Sequence, residues 1–196
     1  MAKRKSIPQT TDEVYLSSSI TVDNYRSLEA QQDREGIANF VYERFVERYI
    51  EPLERTPIKS KSGFTSMAVC CLMIEALESF RQGWGNSERQ SKAAFCFFFD
   101  RNDQFRELRG HAQDFYKNVR CGILHQAETT GGWLVRRDQS VLFDPTIRVV
   151  DASIFLEALR SSLEDYCIHL RGSDWESEIW ILFRKKMAAI INNCQR

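Results

Sequence analysis

The sequence predicts an all-α protein, a helical bundle with one small β-hairpin near residues 133–143. Three observations carry that expectation. Apolar residues recur at helical spacing through most of the chain. Apolar residues make up 43% and aromatics 12% of 196 residues, enough for a packed interior without cross-links. Strand-like runs occur mainly in Trp133-Leu-Val-Arg-Arg137 and Ser140-Val-Leu-Phe143, on either side of Asp138-Gln139. Residues 31–196 are therefore read as a single domain behind a polar N-terminal arm, residues 1–30, broken by Thr10-Thr11-Asp12 and Ser17-Ser18-Ser19.

Helical periodicity begins near Asp33. Ile37, Phe40, Val41, Phe45, Val46 and Tyr49 define a helix over 33–51, which Pro52 closes or bends. After a loop through Gly63, the run from Phe64 to Phe80 is apolar on most faces. It should be a central helix buried on more than one side, with Leu72 and Ile74 inside, and Gly83 and Gly85 end it. Residues 87–100 form a helix whose second half, with Phe95 and Phe98, is buried; 104–108 make a short helix of their own. The next helix runs from His111 to Leu124, and Gly131-Gly132 breaks the pattern before the hairpin. Asp151 is a good N-cap for a helix over 152–170, and a last helix spans 175–192.

Charge limits function. Lysine plus arginine and aspartate plus glutamate both number 27, which argues against a body built for permanent, non-specific nucleic-acid binding but leaves room for a local basic site. The six cysteines (Cys70, Cys71, Cys96, Cys121, Cys167, Cys194) show no C-x-x-C spacing. They read as reduced thiols of a cytoplasmic protein, without a disulfide frame or a metal site. No apolar region follows the basic start, and no membrane span is expected. Neither a cofactor nor a metal is called for.

The chemistry-bearing stretch is Phe115-Tyr-Lys-Asn-Val-Arg120-Cys-Gly-Ile-Leu-His125-Gln126. A guanidinium can clamp phosphate oxygens in a fork, and an imidazole can move a proton near neutral pH. Arg-x4-His by itself is a weak pattern in a chain with 19 arginines, and Arg106 with His111 matches it too. The second copy carries Gly110 directly before its histidine, whereas Ile123-Leu124 can anchor the first in the core. On an ideal helix Arg120 and His125 diverge by about 140°. Joint action needs the helix to loosen at Gly122, to end at His125, or to be completed by a second subunit. Without more context, a histidine in a last helical turn is accounted for by the helix dipole alone.

The block from Val119 to Glu128, placed after the buried helix ending Ile74-Glu-Ala-Leu-Glu-Ser-Phe80, resembles the signature of the HEPN superfamily. Its members are compact helical bundles, and many are metal-independent endoribonucleases of toxin–antitoxin, abortive-infection and other antiviral systems. The resemblance implies a homodimer in which two motifs form one composite site, RNA as substrate, and an antitoxin or regulatory protein as partner. It implies that Arg120 holds the scissile phosphate and that His125 moves the proton of the attacking 2′-hydroxyl or the leaving 5′-oxygen. Active members usually carry a polar residue after the arginine, where this chain has Cys121. The alternative is therefore a non-catalytic HEPN-like module that dimerises or binds RNA or nucleotides.

Four further positions complete the candidate set. Glu75 can be a buried acid that fixes Arg120, or equally a solvated glutamate on the helix's polar stripe. Cys121 lies one turn before His125, where a thiolate–imidazole pair is conceivable and simple packing is the better account. Arg136 and Arg137, with Trp133, can meet RNA by charge and stacking, or be a solvated strand with one buried tryptophan.

Overall fold

The computed structural model describes residues 14–57 and 60–194, and these form a predominantly helical body with one three-stranded sheet. The first helix, α1 (Val22–Ala30), starts on a capping box in which Thr21 and Asn24 satisfy each other's backbone groups. Its Val22 and Tyr25 are fully buried, as is Leu16 just before it. Residues 14–30 are thus not the polar arm expected from composition: Leu16, Val22 and Tyr25, with Leu28 packed partly against the core, suffice to dock a short helix whose remaining positions are mostly polar. The rest of the expected arm, residues 1–13, lies outside the described residues.

Asp33 caps α2 (Arg34–Phe45), whose apolar face buries Ile37, Phe40, Val41 and Phe45. The helix widens into a π turn at Val46–Ile50 and resumes as α3 (Glu51–Glu54), with Pro52 in its first turn. The widening fits the proline, whose ring would strike the carbonyl four residues back in a regular helix.

The central helix α4 (Gly63–Arg81) packs against α5 (Ser91–Arg101), α8 (Ala152–Gly172) and α9 (Glu178–Cys194). By length and composition α4 could cross a membrane, contrary to the expectation of no such stretch; here it is the bundle's core helix, packed by its neighbours. Ile74 is buried as expected, but Leu72 is 46% exposed. Leu72 falls on the one open stripe of α4, together with Thr65, Val69 and Ala76 at helical spacing, and that stripe is mostly apolar.

A 3-10 segment (Asp103–His111) follows α5 and turns the chain into α6 (Ala112–Phe115), a second π turn (Tyr116–Arg120) and α7 (Cys121–Gln126). Phe95, Phe98, Phe99, Phe105, Phe115 and Phe155 pack ring against ring where these elements meet α8, with centroid separations such as 5.1 Å for Phe98–Phe105 and 4.8 Å for Phe105–Phe155. These contacts hold the motif helix against the core.

The expected hairpin near 133–143 is not formed. β1 (Leu134–Arg136) pairs in parallel with β3 (Val149–Asp151), and β2 (Phe143–Asp144) pairs antiparallel with β3, giving the order β1-β3-β2. Val149 and Val150 supply a β-branched central strand that the two flanking runs share. Trp133 stacks on Phe143 with centroids 4.9 Å apart and closes the small sheet over His111 and Phe115. Asp151 caps α8 as expected, accepting from the backbone N–H of Ser153 and Ile154, and its other oxygen accepts from Gln139 N.

Candidate active site

The sequence brings three elements to one place. α4 contributes Glu75 from a turn in which nearly every neighbour is buried, α5 contributes Ser91 from its first turn, and the motif helix contributes Tyr116, Arg120 and Cys121. Arg120 Nε donates to Glu75 Oε1 at 2.8 Å, and Ser91 Oγ donates to Glu75 Oε2 at 2.7 Å. The side chains of Arg120 and Glu75 are 16% and 8% exposed. Glu75 is therefore the buried partner of Arg120, not a solvated glutamate. Burial by itself would lower the pKa of Arg120, but the hydrogen bond and charge of Glu75, with Tyr116 and Cys121 adding to them, raise it. The guanidinium stays charged and is held by its Nε edge. Among the described residues, its two Nη nitrogens donate to no oxygen. That is the edge that can fork onto a phosphate.

The Arg120 guanidinium lies over the ring of Tyr116 at 5.7 Å. Burial, followed by the hydrogen bond and charge of the Cys121 thiol, raises the phenol of Tyr116. Cys121 thus packs into the arginine's surroundings and makes no hydrogen bond to His125. The π turn spans Tyr116–Arg120 and so ends on the arginine itself; such widened turns recur at functional sites because they re-aim a side chain.

His125 is exposed in the last turn of α7, and no hydrogen bond joins it to Arg120 or any other described residue. The helix stops one residue later, where Ala127 takes a left-handed conformation with φ 54°. Gly122 permits the return of the chain: a Cβ there would sit 2.5 Å from the carbonyl oxygen of Glu128. Behind this turn Asn118 acts as a hub. Its Nδ2 donates to Asp114 Oδ1 at 2.7 Å, its Oδ1 accepts from Thr130 Oγ1 at 2.8 Å, and its carbonyl accepts from Thr130 N at 2.9 Å. Trp133 Nε1 donates to Asp114 Oδ2 at 3.1 Å, tying the sheet to the same hub. Asp114, Tyr116, Asn118 and Ser91 were missed at the sequence level. Only Asp114 and Asn118 left a signal there, as a polar pair four apart on a helix of apolar faces.

The second Arg-x4-His copy differs physically. Arg106 is 75% exposed and pairs only with the adjacent Glu107. His111 lies edge-on to Phe143, with centroids 5.2 Å apart. No buried acid fixes that arginine, and that imidazole is a packing group.

The RNA contacts expected of the sheet are mostly spent on structure. Trp133 is 1% exposed, so its ring is not open for base stacking. Arg137 donates to Ser62 Oγ at 2.6 Å and to Ser153 Oγ at 3.2 Å, bridging the start of α4 to that of α8. Arg136 alone is exposed. Among the described residues, no three His, Cys, Asp or Glu side chains gather as a ligand set for a metal ion.

No known protein family, curated protein sequence or solved structure matches this chain.

Proposed function

We propose that the chain is a HEPN-like, metal-independent endoribonuclease of a bacterial-type defence or toxin–antitoxin system, cytoplasmic and acting as a homodimer. The observation that carries the reading is the mostly buried Arg120, anchored by Glu75 through Nε and with no oxygen acceptor on its Nη edge among the described residues, on the same short helix as an exposed His125. A guanidinium carries five N–H donors, and here an oxygen of a described residue engages only the Nε edge. RNA brings its own nucleophile. The 2′-oxygen attacks phosphorus as an imidazole accepts its proton, the P–O5′ bond breaks, and the leaving 5′-oxygen takes a proton. Arg120 holds the phosphoryl oxygens as their charge grows. The products are a 2′,3′-cyclic phosphate and a 5′-hydroxyl end. Because Arg120 and His125 diverge on one helix, two copies of the motif facing each other across a two-fold axis make the complete site. The exposed apolar residues Leu72 on α4 and Leu124 on α7, on the helices that carry Glu75 and Arg120, suit that contact. An antitoxin or other regulatory protein would hold such an activity in check.

The second reading is a non-catalytic HEPN-like module that dimerises or binds RNA or nucleotides. Cys121 favours it: a thiol packed beside Tyr116 stands where a polar group is expected. The test is incubation of purified protein with mixed RNAs in EDTA, with product ends identified and wild type compared with His125→Ala. Cyclic-phosphate ends that vanish in the variant support the nuclease; intact RNA under every buffer, from a folded dimer, supports the module.

A further inference from the structure

Beside the Arg120 cluster an open groove of about 780 Å³ runs between α5 and the 3-10/α6 segment. Tyr116 and Cys121 belong to both: they line the groove and surround Arg120. The groove therefore lies beside the anchored guanidinium and shares two of its neighbours. Lys92 projects from the α5 wall and Lys117 from the opposite wall, and neither forms an ion pair with another described residue. Arg109 adds a third cation, partly neutralised by Asp103. Of the two lining carboxylates, Asp114 is engaged by Asn118 and Trp133 and has Arg148 at 3.8 Å, which leaves Asp100 as the one open acid. Two lysines, one on each wall of a groove that runs beside an arginine fork, suit a chain of phosphates.

We infer that this groove is the track for a single-stranded RNA, with Lys92 and Lys117 on the backbone phosphates flanking the one held by Arg120. The inference rests on the proposed function for its choice of RNA. The strand is single because the Arg120 side chain is only 16% exposed. A flexible strand can turn one phosphate into that recess, whereas a stiff A-form duplex keeps its phosphates on the outside of a cylinder. Lysines are apt for the flanking positions, since a mobile point charge tolerates any sequence.

The cysteines supply a readout that needs no catalysis. Cys96 and Cys121 line the groove and are partly exposed, Cys194 is partly exposed at the end of α9, and Cys70, Cys71 and Cys167 are buried. Native protein is labelled with N-ethylmaleimide, with and without a 2′-O-methyl single-stranded RNA, which cannot be cleaved because its 2′-oxygen is blocked. The oligonucleotide should slow labelling of Cys121 and Cys96 and leave Cys194 unchanged. Lys92→Gln with Lys117→Gln should remove the protection and lower the salt slope of binding by about 1.4, at ~0.7 for each phosphate no longer neutralised. Both lysines are exposed, so the fold should tolerate the change. No protection at saturating oligonucleotide, equal protection by duplex RNA or heparin, or unaltered binding by the double variant would each overturn the groove. Cleavage without protection would leave the nuclease standing and remove the track. Protection without cleavage of ordinary RNA would do the opposite.

Discussion

At the scale of single residues, one ion pair matters most. Arg120 and Glu75 are 45 positions apart in the chain, and their 2.8 Å contact converts a common helix arginine into a positioned one. Glu75→Gln keeps the shape but removes the charge that orients Nε. Stability should fall by about 2–3 kcal/mol, less than the roughly 3–5 of a fully buried pair, because Arg120 keeps some contact with water. RNA cleavage should fall by about 10–100-fold, since a misplaced clamp no longer meets the phosphate. Denaturant unfolding and cleavage rates check the two parts, and an unaltered rate would show that Glu75 is structural only. The sequence allowed this pair but could not choose it, because Glu75 and Glu78 lie on nearly the same face of α4. Glu78, fully buried, holds Arg81 and Arg101 instead, at 3.1 and 3.0 Å. Which acid meets which arginine depends on how α5 and the motif helix cross α4, and periodicity does not carry that information. Trp133 was similarly ambiguous. An indole suits base stacking and core packing equally, and Asp114 decides for the core by accepting its N–H.

At the scale of elements, the helices with long apolar periods were legible and the short or shared ones were not. The helices of residues 63–81, 91–101, 152–172 and 178–194 follow their patterns to within a few residues at each end. The three-stranded sheet was misread because β3 lies between its partners in space but after them in sequence. Helix α1 was hidden because Leu16, Val22 and Tyr25 are too few to show a period. Leu72 is the instructive error within a correct helix. On a nearly uniform apolar run the pattern cannot say which stripe faces outward. Leu72→Ala should cost under about 1 kcal/mol in a monomer, while Ile74→Ala should cost about 2–5. Equal losses in denaturant unfolding would mean that α4 is rotated from the orientation described.

At the scale of the whole molecule, the core is rich in buried thiols and phenols, and this sets its alkaline limit. Burial pushes the thiols of Cys70 and Cys71 well up and that of Cys167 to about 12, and it raises Tyr25 and Tyr166 as well. These groups stay protonated in the fold after the unfolded chain has begun to lose their protons. Their contribution is complete below the ordinary thiol pKa of about 9 and declines above it, by about 1.4 kcal/mol per thiol per pH unit. Burial and then the neighbouring Arg48 lower the pKa of Arg44, but a guanidinium keeps its proton throughout this pH range. Stability measured in reductant should therefore be flat from pH 7 to 8 and fall steeply from 9 to 10. A flat profile through pH 10 would contradict the burial of these thiols.

In the proposed reading the Arg120 copy of the motif cleaves phosphodiesters and the Arg106 copy does not. The decisive measurement is cleavage of a single-stranded RNA in EDTA, compared across His125→Ala, Arg120→Lys and His111→Ala. His125→Ala should lose about 10²–10⁴-fold, because the proton carrier is gone. Arg120→Lys should show a clear loss, because an ammonium cannot reproduce the guanidinium fork. Folded His111→Ala should cleave at a near-wild-type rate. Equal losses at His111 and His125, or full activity without His125, would contradict the assignment.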